Sequence, residues 1–163
     1  MDITVKKMET DGEIRAKAYV HWKAWQETYP GMVDQSYLDS LTLEKCEEIA
    51  FRKRDCIIIA SDGGSVVGFA GYGEYRGEDL KDAGELQAIY VLSEYWGRGV
   101  GKELMDAALK EMREYPRIAL WVLEENTGAI RFYEKCGFRA DGTASTITLG
   151  SPVTEIRMIL EKH

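Results

Sequence analysis

The chain has 163 residues, 45% of them apolar and 30% charged, with a formal net charge of −7 and a pI near 5.0. That length predicts one compact domain over 1–163, and the apolar share predicts a packed core, which excludes disordered and fibrous classes. No apolar run reaches the roughly 18 residues that cross a bilayer, the opening MDITVKKMETDGEIR lacks the apolar centre of a secretion signal, and an acidic field opposes a nucleic-acid backbone; the expectation is a cytoplasmic protein with neither membrane nor nucleic acid as partner.

In chain order, ITVKKM alternates as a strand does. A helix is predicted from Asp11 to about Tyr29, with Ile14, Ala18, Trp22 and Trp25 at helical spacing and Asp11 as its cap, and Pro30-Gly31 stops it. Two short helices are expected between Asp34 and Lys53, the second opening at Thr42 with Leu43, Cys46, Ile49 and Ala50 inward. CIIIAS and SVVGFAGYGEY read as strands joined through Gly63-Gly64 in a hairpin. After the polar loop RGEDLKDAG comes a fourth strand, ELQAIYVL, then a glycine-rich turn and a helix to about Glu114 with Val100, Leu104, Ala108 and Met112 on one stripe. RIALWVL is a strand, NTGAIRFYEKC a short helix, and Phe138 to Leu160 holds two more strands around Gly150-Ser151-Pro152. This order predicts a mixed α/β sheet of six to seven strands covered by helices on both faces.

Cys46, Cys56 and Cys136 lack metal-ligand spacing and are expected to be reduced and mostly packed. With His21 and His163 the only histidines, a metal site or a histidine triad would rest on His21 alone, and no metal is expected.

The turn YWGRGVGK opens a helix, where unpaired N–H groups and the positive end of the helix dipole favour an anion. Glycines let that backbone come close to a ligand, so Arg98, Gly99, Val100, Gly101 and Lys102 are read as a diphosphate cradle; a plain connecting turn is the alternative. Trp96 before the run and Glu103 after Lys102 do not fit a nucleotide P-loop, and the GxGxG spacing past the middle of the chain does not fit a dinucleotide fold.

The sequence resembles the GCN5-related N-acetyltransferases. Gly99-Val100-Gly101 after the strand LQAIYV matches the glycine part of their motif Q/R-x-x-G-x-G/A, with Trp96 at the Q/R position, and ENTGAIRFYEKCGF matches their second motif. The resemblance implies a mostly antiparallel sheet with strands 4 and 5 splayed. Acetyl-CoA would lie in that gap as cosubstrate, with its diphosphate on Arg98 to Lys102, its pantetheine arm beside Ile89, Tyr90 and Val91, and contacts from Asn126, Ala129, Ile130 and Tyr133. It further implies that the N–H of Val91 bonds the acetyl carbonyl and that Tyr133 protonates the departing thiolate.

Acyl transfer to an amine also requires a proton to leave the ammonium, and Glu85, at the start of the fourth strand, is a candidate general base; a water chain is the other route. A regular strand would put Glu85, Gln87 and Ile89 on one face. The acceptor site that the resemblance implies carries Trp22, Trp25, Tyr29 and Tyr37 and the acids Glu74, Glu78, Asp79 and Asp82. Such groups suit a cationic amine, small or on a protein, and equally suit a core and a solvated loop. A non-catalytic acyl-CoA sensor or interaction module is the alternative function, and a homodimer is left open.

Overall fold

The computed structural model describes residues 1–162. Its strands are β1 (Ile3–Lys7), β2 (Ile57–Asp62), β3 (Ser65–Glu74), β4 (Ala83–Val91), β5 (Arg117–Leu123), β6 (Arg139–Leu149) and β7 (Ser151–Glu161). The helices are α1 (Asp11–Thr28), α2 (Gln35–Ser40), α3 (Leu43–Arg52), α4 (Val100–Glu111) and α5 (Thr127–Lys135), with a 3-10 turn at Ser93–Tyr95. The seven strands form one sheet in the order β1-β2-β3-β4-β5-β7-β6, antiparallel throughout except for β4 and β5. The mixed, mostly antiparallel sheet expected from the sequence is therefore present. No helix among the described residues is long and apolar enough to cross a membrane.

Local chemistry accounts for the elements. Helix α1 starts one residue earlier than its predicted cap: the Thr10 hydroxyl accepts from the Glu13 N–H at 3.1 Å and Glu13 accepts from the Thr10 N–H at 3.0 Å, a reciprocal capping box that leaves Asp11 inside the helix. The Thr42 hydroxyl caps α3 by accepting from the Lys45 N–H at 3.1 Å, and Cys46 and Ala50 face inward while Leu43 is left 38% exposed. Gly63 and Gly64, at φ 56 and 92, supply the two left-handed residues that a tight β2–β3 turn needs. Cys46 is buried, but Cys56 is exposed with φ 61, so it does not pack as expected. His163 lies outside the described residues.

Helix α1 packs on β3 and β4 from one side of the sheet, with α3 behind it, and α4 covers β1 to β4 from the other. Strands β4 and β5 pair only through Ala83–Glu85 with Arg117–Ala119. Beyond that point β4 continues with β3 as far as Val91, and β5 continues with β7 as far as Leu123, so the two strands part. Where they part, the β3–β4 register shifts: Leu86 faces Tyr72 and Ala88 faces Gly71, with Gln87 as the extra residue. The bulge overturns the regular alternation expected for β4. Ile89, opposite Ala70, falls on the α4 face, whereas Glu85 and Ala88, opposite Gly73 and Gly71, share the α1 face.

One core residue of α1 is charged. Lys17 is 5% exposed, its Nζ lies 4.6 Å from the centre of the Phe69 ring, and burial lowers its ammonium from 10.5 to about 8. Below that value the folded state holds a cation with little water around it. Lys17→Met is expected to raise the unfolding free energy at pH 7 by about 2 kcal/mol, discounted from about 1.4 kcal/mol for each tenfold change in proton affinity. Between pH 8 and 10.5 the folded wild type is already neutral while its unfolded chain still binds a proton, so wild-type stability rises and the gain shrinks. Equal urea midpoints for variant and wild type at pH 7 would mean that the Phe69 contact offsets the burial.

Candidate active site

The parting of β4 and β5 opens a cavity of about 1030 Å³ that passes from one face of the sheet to the other. On the α4 side its walls are Gly99 to Lys102, Asn126, Ala129 and Tyr133; on the α1 side they include Trp25, Tyr29, Arg76, Glu85, Trp121 and Glu155. Ile89, Tyr90 and Val91 form the β4 wall. Most residues singled out in the sequence therefore meet in one place. Ile130 packs against the core outside the cavity. The Arg98 guanidinium is also outside it, 5.6 Å from the centre of the Tyr95 ring.

The glycine turn presents a bare helix start. Gly99 is the N-cap of α4, at φ 86, and a Cβ there would meet nothing within 4 Å. The first helical bond runs from the Glu103 N–H to the Gly99 carbonyl, so the N–H groups of Val100, Gly101 and Lys102 have no partner in the helix. Together with the helix dipole they form an anion site at the cavity wall. The Lys102 ammonium pairs with Asp106. The loop leading in is fastened from α1: the Glu27 carboxylate accepts from the Ser93 N–H at 2.9 Å and from the Ser93 hydroxyl at 2.6 Å.

The edge of β4 supplies a second set of open groups. In a strand, the N–H and C=O of one residue point to the same side. The Val91 carbonyl accepts from the Trp96 indole N–H at 2.8 Å, and the next bond to β3 is made by the Leu92 N–H, so the Val91 N–H points away from β3 into the gap. Ile89, two residues earlier, points its backbone groups the same way. Trp96, 52% exposed, thus covers the last carbonyl of an otherwise open edge.

Asn126 is the N-cap of α5, accepting from the Ala129 N–H at 3.2 Å, and also lines the cavity. Two turns further, Tyr133 packs edge-on against Phe132 and Phe138, and burial pushes its phenol well above the usual value. Its hydroxyl makes no hydrogen bond among the described residues. Across the cavity, the Tyr29 and Tyr90 hydroxyls are 2.9 Å apart, and His21 lies beside Tyr90, its imidazole driven down to about 4 by burial. That histidine is neutral and enclosed.

Glu85 is 2% exposed and fully engaged: Oε1 accepts from the Arg76 N–H and Nε, both at 3.1 Å, and Oε2 from Nη2 at 2.8 Å. Of the aromatics expected around an acceptor, Trp25 and Tyr29 line the cavity, and Trp22 and Tyr37 do not. None of Glu74, Glu78, Asp79 and Asp82 lines it. Asp79 instead binds Arg157, which also holds Asp141, Thr143 and the Tyr75 hydroxyl. Glu155, Arg76 and Trp121 were not singled out from the sequence. For Glu155 the signal is in VTEIRMIL, where Glu155 and Arg157 stand at alternate positions of an otherwise apolar strand; Trp121 lies in the apolar run ALWVL and Arg76 opens the polar loop RGEDLKDAG, and no pattern marks either. Among the described residues, no group of three or more His, Cys, Asp or Glu could hold a metal ion.

A side chain at Gly101 tests the anion site. A Cβ there already meets Phe132 at 3.3 Å, so the indole of Gly101→Trp has to turn outward over the free N–H groups. Calorimetry is expected to show affinity for acetyl-CoA falling at least about 30-fold, roughly 2 kcal/mol, with an unchanged circular dichroism spectrum. Undiminished affinity in the folded variant would remove the turn from ligand binding.

Known proteins are similar to this chain in sequence and in fold. The model for the acetyltransferase (GNAT) family matches residues 19–138. An uncharacterized N-acetyltransferase of Bacillus subtilis, YuaI, is 32% identical over 137 residues, 81% of this chain and 78% of that protein. The spermine/spermidine N(1)-acetyltransferase of Bacillus subtilis is 31% identical over 115 residues, 66% of this chain and 74% of its own. In fold, the chain is similar to the PaiA N-acetyltransferase of Thermoplasma acidophilum, whose crystal structure is a complex with coenzyme A, at a TM-score of 0.76 and 23% identity over 99% of both chains. The matched residues contain both the glycine turn and α5, and the chain belongs to the acetyltransferase (GNAT) family.

Proposed function

We propose that the protein transfers the acetyl group of acetyl-CoA to a primary amine by direct attack while both substrates are bound. The observation that carries this reading is the open edge of β4 beside the bare start of α4, within one cavity. Coenzyme A joins an extended arm with two amides to a phosphorylated adenosine through a diphosphate. An unpaired strand edge complements the arm and free helix N–H groups the diphosphate. The coenzyme A complex of the Thermoplasma protein, built on the same fold, supports the choice of ligand.

Within this reading each residue has a task. The N–H groups of Val100, Gly101 and Lys102 hold the diphosphate, with Arg98 adding positive charge at the edge. The Val91 N–H stabilises negative charge on the acetyl oxygen, a contribution of about 3 kcal/mol for such a donor. As the amine nitrogen forms its bond to the acetyl carbon and the C–S bond breaks, Tyr133 gives its proton to the sulfur. Burial keeps the phenol protonated at neutral pH, so a proton stands ready for the sulfur, and the phenol is restored as the amide nitrogen gives up its own proton. Ile89, Tyr90, Asn126 and Ala129 shape the slot, with Ile130 packed behind it. Glu85, locked to Arg76, acts on the acceptor indirectly. The acceptor is a cationic amine, either small or carried on a protein, and the relative named for spermine and spermidine makes a polyamine the first to test.

Tyr133→Phe is expected to lower turnover about 100-fold, within the usual span for a lost acid, with acetyl-CoA affinity unchanged. Thiol release would be followed with spermidine, a lysine peptide and a peptide N-terminus as acceptors. Full turnover in the variant would remove Tyr133 from the acid role.

A further inference from the structure

We propose that Glu155 is the carboxylate that seats the ammonium head of the acceptor and takes its first proton, an assignment that rests on the acetyl-transfer reading above. Three carboxylates line the cavity: Glu27, Glu85 and Glu155. Glu27 is spent on Ser93, and Glu85 on three donors of Arg76. Glu155, half-buried on β7 opposite Leu123 of β5 and Ser145 of β6, accepts no hydrogen bond and makes no ion pair among the described residues. Glu85, Arg76 and Glu155 together carry one uncompensated negative charge, and the free group is Glu155.

The surroundings fit that task. Burial raises the Glu155 carboxyl above the usual range, Glu85 adds to the rise, and Arg76 opposes it. A carboxylate partly stripped of water binds a cation more strongly and holds a transferred proton better. The nearby walls are Trp25, Met32, Trp121, Ile147 and Leu149, which can pack an alkyl stem and offer ring faces to a cation. The proton balance is complete: the ammonium loses one proton to Glu155, the freed lone pair attacks the acetyl carbon, the C–S bond breaks, and Tyr133 protonates the sulfur. The amide nitrogen then sheds its second proton, which restores the phenol.

Two measurements test this. First, protein labelled with ¹³C at glutamate carboxyls and loaded with acetyl-CoA is titrated with methylammonium chloride, the Glu155 signal being assigned by its loss in Glu155→Gln. The signal is expected to move with methylammonium and not with equal sodium chloride; a response common to both salts, or none, overturns the proposal. Second, Glu155→Gln is compared with wild type and with the surface control Glu48→Gln on the amine panel. For the best acceptor, kcat/KM is expected to fall about 100-fold, with acetyl-CoA affinity unchanged. The residual rate should climb steeply from pH 7 to 9.5, as only free amine then reacts. Retention within about threefold in a system where wild type is active overturns the proposal and leaves acetyl transfer standing. If wild type binds acetyl-CoA but acetylates none of the amines, the amine reading fails, and the methylammonium titration alone decides Glu155.

Discussion

Six residues of β4 lack a neighbouring strand on one side, and the site is built around that omission. From Leu86 onward β4 keeps its bonds to β3, while β5 is held by β7, so each strand runs on with its far neighbour and the edges that face the gap stay unpaired. Buried backbone groups left unpaired are costly, and the gap is tolerable because it is a cavity open to water and to a ligand. The bulge at Gln87 falls where pairing ends and turns the outgoing strand. The turn after Val91 then delivers the chain to α4 with its first N–H groups on the cavity wall, and α5 follows β5 to place Tyr133 opposite. Helix termini, strand edge and phenol share one volume because two neighbouring strands do not stay paired.

Much of this is legible in the residues. Glycines at every second position ahead of an amphipathic stripe state where a bare helix start lies, and Asn126 followed by the apolar spacing of α5 states where the second helix lies. Motif order carried the splay, which no local pattern specifies. The Gln87 bulge is hidden for a physical reason: it is a mismatch between two strands, and neither β3 nor β4 alone contains it. Glu155 shows the opposite case. Its place on an alternating strand is plain in VTEIRMIL, but its freedom depends on Arg76 preferring Glu85, a choice made only once three distant segments meet. The acidic loop drew attention by composition, and its one engaged member, Asp79, serves Arg157 instead.

Charge is arranged against the net value of the chain. The molecule is acidic overall, yet the helix start needs only N–H groups to favour an anion, so the glycine-turn end of the cavity does not depend on a basic surface. At the other end, Arg157 is 5% exposed and holds Asp79 and Asp141 together with Tyr75 and Thr143. A guanidinium so enclosed is sustained only by this full set of acceptors. It binds the loop after β3, which carries Arg76, to the β6–β7 hairpin, which carries Glu155.

The contact between Glu27 and Ser93 joins the last turn of α1 to the loop that feeds the glycine turn, over a separation of 66 residues. Trp25 and Tyr29, at the same end of α1, line one wall of the cavity, while the loop leads into the helix start on the opposite wall. This contact joins the two walls, so free energy that a ligand on one wall gained by settling the joint would return, in equal amount, as affinity at the other.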